Sequence, residues 1–231
     1  MKKLLLSNFK SNKSIQEANN WLDTFLEKIS LLNTSNVEIA VAPSFLSLEE
    51  FSQKIAAASV PLQLTTQNIS AYPAGSYTGA ISVKNLEGLN LQYAIVGHSE
   101  RRKYFGETSK SVAKKVEQAV DGEMTPVVCL DIEYLEEQIA AIDVKLLEKC
   151  IFAYEPLSAI GSGKNADVGT VKKVSQKIKT LAGEVRFLYG GSVTAENVLE
   201  YLLVCDGVLV GSFSLDPNQF AQLVTTVATN S

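Results

Sequence analysis

The feature that most constrains this chain is a regular alternation of two kinds of segment. Short runs rich in Val, Ile and Leu occupy residues 4–9, 37–42, 62–67, 93–96, 126–130, 150–154, 185–189 and 207–210. They are too continuously apolar to be half-exposed strands, and they read as strands buried on both faces. Helical patterns lie between them. Ile15, Ala18, Leu22, Phe25, Ile29 and Leu32 advance by three or four, which places them on one helix face, and Ser14 with Glu17 frames the start as a capping box. Val168, Val171, Val174, Ile178 and Leu181 repeat the pattern, with Gly183 placed to end that helix. Val112, Val116, Ala119 and Val120 form a third stripe ending near Gly122, and Phe220, Leu223, Val224 and Val227 form the last.

Strand–helix alternation of this kind builds a parallel α/β sheet. Eight units in 231 residues, about 29 residues each, favour a closed (β/α)8 barrel, with an open doubly wound sheet as the alternative. No linker, charge run or composition shift divides the chain, so residues 1–231 read as a single domain. Only residues 132–147 are available for a helix between the fifth and sixth strands, so that helix is expected to be short or missing.

Composition narrows the chemistry. A hydrophobic content of 46 % against 20 % charged residues is that of a globular protein. A net charge of −4 gives no basic field for nucleic acid. The cysteines Cys129, Cys150 and Cys205 are widely spaced and form neither a disulfide framework nor a metal knuckle; they read as buried thiols of a reducing, cytoplasmic setting. The single histidine, His98, excludes any metal site built from several histidines. The apolar start Leu4-Leu5-Leu6 stops at Ser7-Asn8, short of the roughly 7–15 residues of an export signal, and no run reaches the roughly 18 of a membrane span.

In a parallel barrel the loops after the strands' C-terminal ends build the site. Asn8 and Lys10 follow the first strand; Lys10 is either a solvated lysine or a cation aimed into the barrel mouth. Gly97-His98-Ser99-Glu100-Arg101-Arg102 follows the fourth. His98 could be a satisfied structural residue, but it sits where a helix start is expected, and free N–H groups with a positive dipole end disfavour imidazolium. Arg101 and Arg102 read as an interface and surface pair. Glu155 follows the sixth strand; it is either a loop cap or a general base whose pKa is raised by partial desolvation. The stretch after it, apolar in the middle and glycine-rich at its tip, suits a lid over residues 156–166. Tyr189-Gly190-Gly191-Ser192 and Gly211-Ser212 follow the last two strands, the usual phosphate site of such barrels. These residues point to a small phosphorylated ligand without naming it.

The same pieces, in the same order along the whole chain, resemble the triosephosphate isomerase family. They are Asn8-Phe9-Lys10, Gln67-Asn68, Gly97-His98-Ser99-Glu100-Arg101-Arg102, Ala153-Tyr154-Glu155-Pro156, Ala159-Ile160-Gly161-Ser162-Gly163-Lys164, Tyr189-Gly190-Gly191-Ser192 and the run from Gly207 to Gly211. The resemblance implies a TIM barrel that interconverts dihydroxyacetone phosphate and D-glyceraldehyde 3-phosphate through an enediolate, in glycolysis and gluconeogenesis. It implies that Glu155 moves the carbon-bound proton, neutral His98 polarises the carbonyl, Lys10 offsets negative charge, Asn8 bonds substrate oxygens and Glu100 orients its neighbours. It implies a phosphate grip by Gly161, Ser192, Gly211 and Ser212, no metal or organic cofactor, and a homodimer. The loop from Ile69 to Ala80 would enter the partner, with Thr78 near its site.

Several positions depart from the family pattern. Ser158 stands where a lid tryptophan is usual, Ala80 where a glutamate usually meets the equivalent of Arg101, and Phe9 where tryptophan is common. Ser212 replaces a glycine. The other readings weighed are an aldolase or synthase on the same barrel, for which the strands offer no Schiff-base lysine except Lys10, and a non-catalytic binding protein suggested by Ser158 and Ala80.

Overall fold

The computed structural model describes residues 1–156 and 165–230. Eight strands, β1 (Lys3–Asn8), β2 (Val37–Ala42), β3 (Leu62–Thr66), β4 (Leu91–Val96), β5 (Thr125–Leu130), β6 (Ile151–Tyr154), β7 (Arg186–Tyr189) and β8 (Gly207–Val210), pair in parallel in sequence order. The open-sheet alternative is excluded by the last pairing. Leu4 lies beside Gly207, Leu5 beside Val208, Leu6 beside Leu209 and Ser7 beside Val210, so β8 returns to β1 and closes the barrel.

Burial on both strand faces follows from this closure. Leu4, Leu6, Ala40, Ala42, Ile95, Val127, Cys129, Ala153, Leu188 and Leu209 fill the barrel interior, while the alternate residues, such as Leu5, Ile39, Val41, Val96 and Val128, pack outward against the helices. The outer layer comprises α1 (Ile15–Ile29), α2 (Leu48–Ala58), α3 (Ser99–Phe105), α4 (Ser109–Asp121), α5 (Leu135–Ala141), α6 (Val144–Leu147), α7 (Val168–Ala182), α8 (Val198–Leu202) and α9 (Pro217–Asn230).

The capping box of α1 forms as its spacing predicts. Ser14 Oγ accepts from the Glu17 N–H, and the Glu17 carboxylate accepts from the Ser14 N–H at 2.8 Å, a motif worth about 1 kcal/mol. Its apolar face buries Ala18, Trp21, Leu22, Phe25 and Ile29, but the first stripe residue, Ile15, is exposed. Trp21 stacks on Phe25 with ring centroids 4.7 Å apart and meets Phe9 edge-on at 4.7 Å. Its indole N–H donates to the Ser214 carbonyl at 2.9 Å, so α1 ties the first strand to the turn after the last.

The shortened region between β5 and β6 holds only α5 and α6, as the available length predicts. Their shortness leaves a groove toward the end of α7, lined by Val144, Leu147 and Leu181. That is why Leu181, expected on the buried stripe, is exposed. The three cysteines are buried free thiols. Among the described residues no helix is long and apolar enough to cross a membrane.

Candidate active site

The C-terminal strand ends converge on one hollow of about 70 Å3. Asn8 and Lys10 reach it from β1, His98 from β4, Glu155 from β6, Gly190, Gly191 and Ser192 from β7, and Gly211 and Ser212 from β8. Of the expected site residues, Gly161 lies outside the described residues, as does Ser158, with the middle of the expected lid.

His98 caps the start of α3. The turn into it is possible because Gly97 adopts φ +70°, and a Cβ there would meet Val112 at 2.9 Å. The ring Nδ1 accepts from the Glu100 N–H at 3.2 Å, which places the ring proton on Nε2. That Nε2 donates to Glu155 Oε1 at 2.9 Å, and the other carboxylate oxygen accepts from the Ser99 N–H at 3.1 Å. Glu155 is 2 % exposed and His98 6 %, so the pair is nearly closed off from bulk water.

The directions in which the two pKa values move differ from expectation. Burial pushes the Glu155 carboxyl upward, as the strand-end placement predicts. The His98 ring, the Ser99 N–H and Lys10 outweigh it, and the carboxyl lies below its usual value. Burial likewise disfavours charge on His98, yet the carboxylate it touches and Glu100 raise the imidazole pKa above its ordinary value. The helix start fixes the tautomer at Nδ1; the carboxylate at Nε2 controls the affinity for the second proton.

Lys10 occupies the left-handed region at φ 52°. Its N–H donates to Asn8 Oδ1 at 3.0 Å, and its ammonium pairs with Glu100 Oε1 at 2.7 Å. Glu100 thus touches both neighbours, His98 through its backbone and Lys10 through its side chain. The Lys10 side chain also passes Gly211, where an added Cβ would lie 3.6 Å from Lys10 Cε. Among the described residues the non-glycine positions at positive φ are Lys10, Ser59, Asn90 and Glu123, so Ser212 replaces a glycine without strain. It opens the 3-10 turn Ser212–Leu215.

The glycines after β7 are required by close approach. An added Cβ on Gly190 would lie 2.9 Å from Glu155 Cγ, and one on Gly191 would lie 2.1 Å from the Tyr189 hydroxyl oxygen. That hydroxyl accepts from the Ala166 N–H at 3.1 Å, while Tyr201, stacked on Tyr189 at 4.1 Å, donates to the Ala166 carbonyl at 2.9 Å.

Both arginines, partly exposed, also make contacts within the chain. Arg102 turns inward, donating to the Gly97 carbonyl at 3.0 Å and lying over the Tyr134 ring at 4.1 Å. Arg101 pairs with Glu107 of its own chain, which also takes the buried Lys115 ammonium. Sequence reasoning gave no role to Glu107, Lys115 or Gln67. Gln67 carried a signal of its own, a polar residue closing the third apolar run and half of the Gln67-Asn68 piece; Glu107 and Lys115 carried none.

A closed parallel barrel whose strand ends bring a carboxylate, an imidazole and an ammonium to one hollow defines a (β/α)8-barrel enzyme of the proton-transfer kind. The profile of the triosephosphate isomerase family matches residues 3–227. The chain is 36 % identical to the triosephosphate isomerase of Mesomycoplasma hyopneumoniae (strain 7448), over 97 % of this chain and 99 % of that protein. It is 37 % identical to that of Mesomycoplasma hyorhinis, over 97 % and 98 %. It is 34 % identical to that of Thermodesulfovibrio yellowstonii, over 96 % and 98 %. The chain belongs to the triosephosphate isomerase family.

Proposed function

We propose that Glu155, His98, Lys10, Asn8 and Glu100 carry the family's reaction in this chain, with the phosphate held by Gly161, Ser192, Gly211 and Ser212. The chain interconverts dihydroxyacetone phosphate and D-glyceraldehyde 3-phosphate, a step of glycolysis. One observation carries the assignment of roles: a buried carboxylate touches the Nε2–H of an imidazole beside an ammonium at the barrel mouth.

The 2.9 Å contact between Glu155 and His98 leaves no space for a substrate between them. The triose therefore binds by parting the pair. Glu155 then gives up the His98 and Ser99 donors while staying buried, which removes the groups that lower its pKa and strengthens it as a base. It takes the proton from the carbon beside the carbonyl and returns it to the neighbouring carbon. His98, released from the carboxylate but still held at Nδ1 by the Glu100 N–H, loses the partner that raises its pKa and keeps its proton on Nε2. Its Nε2–H donates to the carbonyl oxygen and passes a proton between the two enediolate oxygens. The Lys10 ammonium offsets the developing oxyanion and the phosphate charge, and Asn8, whose Oδ1 already holds the Lys10 N–H, offers its amide N–H groups to substrate oxygens.

The reading is tested by running the isomerisation in D2O. The wild type should exchange the carbon-bound hydrogen of dihydroxyacetone phosphate, and Glu155→Gln should lose this exchange; retained exchange would assign the base elsewhere.

The barrel works as one domain, in the cytoplasm, and as a homodimer. The dimer reading is supported by the loop from Ile69 to Ala80. There Tyr72 and Tyr77 stack at 4.7 Å yet remain half exposed, close in character to the exposed Leu46, Tyr104 and Phe105. Arg101, satisfied by Glu107, needs no glutamate at position 80. Sedimentation should give a dimer that Tyr72→Ser/Tyr77→Ser converts to monomer; a wild-type monomer with full activity rejects this part.

A further inference from the structure

Lys10 holds a backbone conformation that a lysine does not favour on its own, since φ 52° brings Cβ close to the following carbonyl oxygen. Such a residue persists only where its surroundings over-determine it. Two side chains do so. Asn8 Oδ1 takes the Lys10 N–H at 3.0 Å. On the other side, Gln67 Nε2 donates to the Lys10 carbonyl at 2.9 Å and to the Ala42 carbonyl at 3.0 Å.

Gln67 directly follows β3, Ala42 ends β2, and Lys10 follows β1. The turn carrying Gln67 is itself held by the Thr66 hydroxyl, which donates to the Asn68 carbonyl at 2.8 Å. One carboxamide therefore links the C-terminal rims of three successive strands. Both of its partners are carbonyl acceptors, so only an NH2 group can occupy this place; an isosteric carboxylate would face two carbonyl oxygens.

We propose that Gln67 is the positioning residue for Lys10, its NH2 group fixing the left-handed Lys10 backbone that sends the ammonium to Glu100 and the barrel mouth; this rests on the role given to Lys10 above. Without it the ammonium samples other directions, and the phosphate-bearing triose loses a pre-set cationic partner.

The test is a double-mutant cycle followed by steady-state kinetics, with inorganic phosphate as a competitive inhibitor. Gln67→Met should lower kcat/KM by tenfold or more, chiefly through KM, and weaken phosphate inhibition by a similar factor. Gln67→Glu, of equal length but unable to donate, should do the same. In a Lys10→Met background the further loss from Gln67→Met should shrink below twofold, because no ammonium remains to be aimed. An equal loss in both backgrounds, or a Gln67→Glu enzyme with wild-type KM, overturns the inference. Thermal unfolding of each variant is recorded alongside; should Gln67→Met not fold, Gln67→Glu and Gln67→Asn run the same cycle. If Lys10→Met alone leaves kcat/KM unchanged, the role of Lys10 itself fails; if only Gln67→Met is without effect, the Lys10 reading stands and this inference falls.

Discussion

Shortening Glu155 by one methylene isolates the demand that the proposed base places on geometry. Glu155→Asp keeps the charge and draws the carboxylate back by about 1.5 Å, one C–C bond length. The backbone cannot follow to compensate. The Glu155 N–H is held by the Leu130 carbonyl at 2.9 Å, and the Gly190 N–H holds the neighbouring Tyr154 carbonyl at 2.8 Å. The side-chain stem rests against Gly190, where even a Cβ would come within 2.9 Å of Glu155 Cγ. A reacting distance of about 3–3.5 Å thus becomes nearly 5 Å, and misplacement by about 1 Å costs on the order of 10²-fold. The expected loss in kcat is about 10²–10³-fold, or roughly 3–4 kcal/mol of transition-state stabilisation. KM should change little, because the proposed phosphate contacts are untouched. A coupled assay of isomerisation in both directions measures this. A Glu155→Asp enzyme with kcat within about threefold of wild type would show that the carboxylate does not work at contact distance, and the placement of the base would fall.

Two further outcomes follow from the same geometry. Gly191→Ala puts a methyl 2.1 Å from the hydroxyl oxygen of Tyr189, whose ring is fixed by Tyr201 and by the Ala166 N–H. Thermal unfolding should show a loss of about 1–3 kcal/mol together with a raised KM; unchanged values of both would mean that the turn yields freely. The Glu155–His98 contact also sets a pH signature. Glu155, lowered in the fold, adds stability above the ordinary carboxylate value of 4.5, and this is lost as pH falls through its folded pKa. His98, raised in the fold, adds stability below the ordinary value of 6.5, and this is lost as pH rises through its folded pKa. The melting-temperature gap between wild type and Glu155→Gln should therefore be widest between those two values and narrow on either side; a gap independent of pH would contradict the pairing.

The sequence by itself determined the periodic elements and which polar residues stand at strand ends. Continuous apolar runs mark strands with two buried faces, and 3.6-residue stripes mark the helices that cover them; both are local patterns, so all eight strands fall within two residues of their expected bounds. Asn8, Lys10, His98, Glu155 and the two glycine turns were legible because a polar residue just beyond a buried strand must face the barrel rim. Only the tertiary structure decided closure, because nothing local in β8 says that its partner is β1. It also decided charge. Burial of Glu155 is readable from its strand, but the imidazole that reverses its pKa shift arrives from a residue 57 positions away. The same holds for Gln67, which reaches Lys10 across 57 positions, and for the Lys115 ammonium, which reaches Asn68 across 47. Periodicity is written along the chain, whereas the electrostatics of a site depend on distances between strand ends that exist only once the barrel has closed.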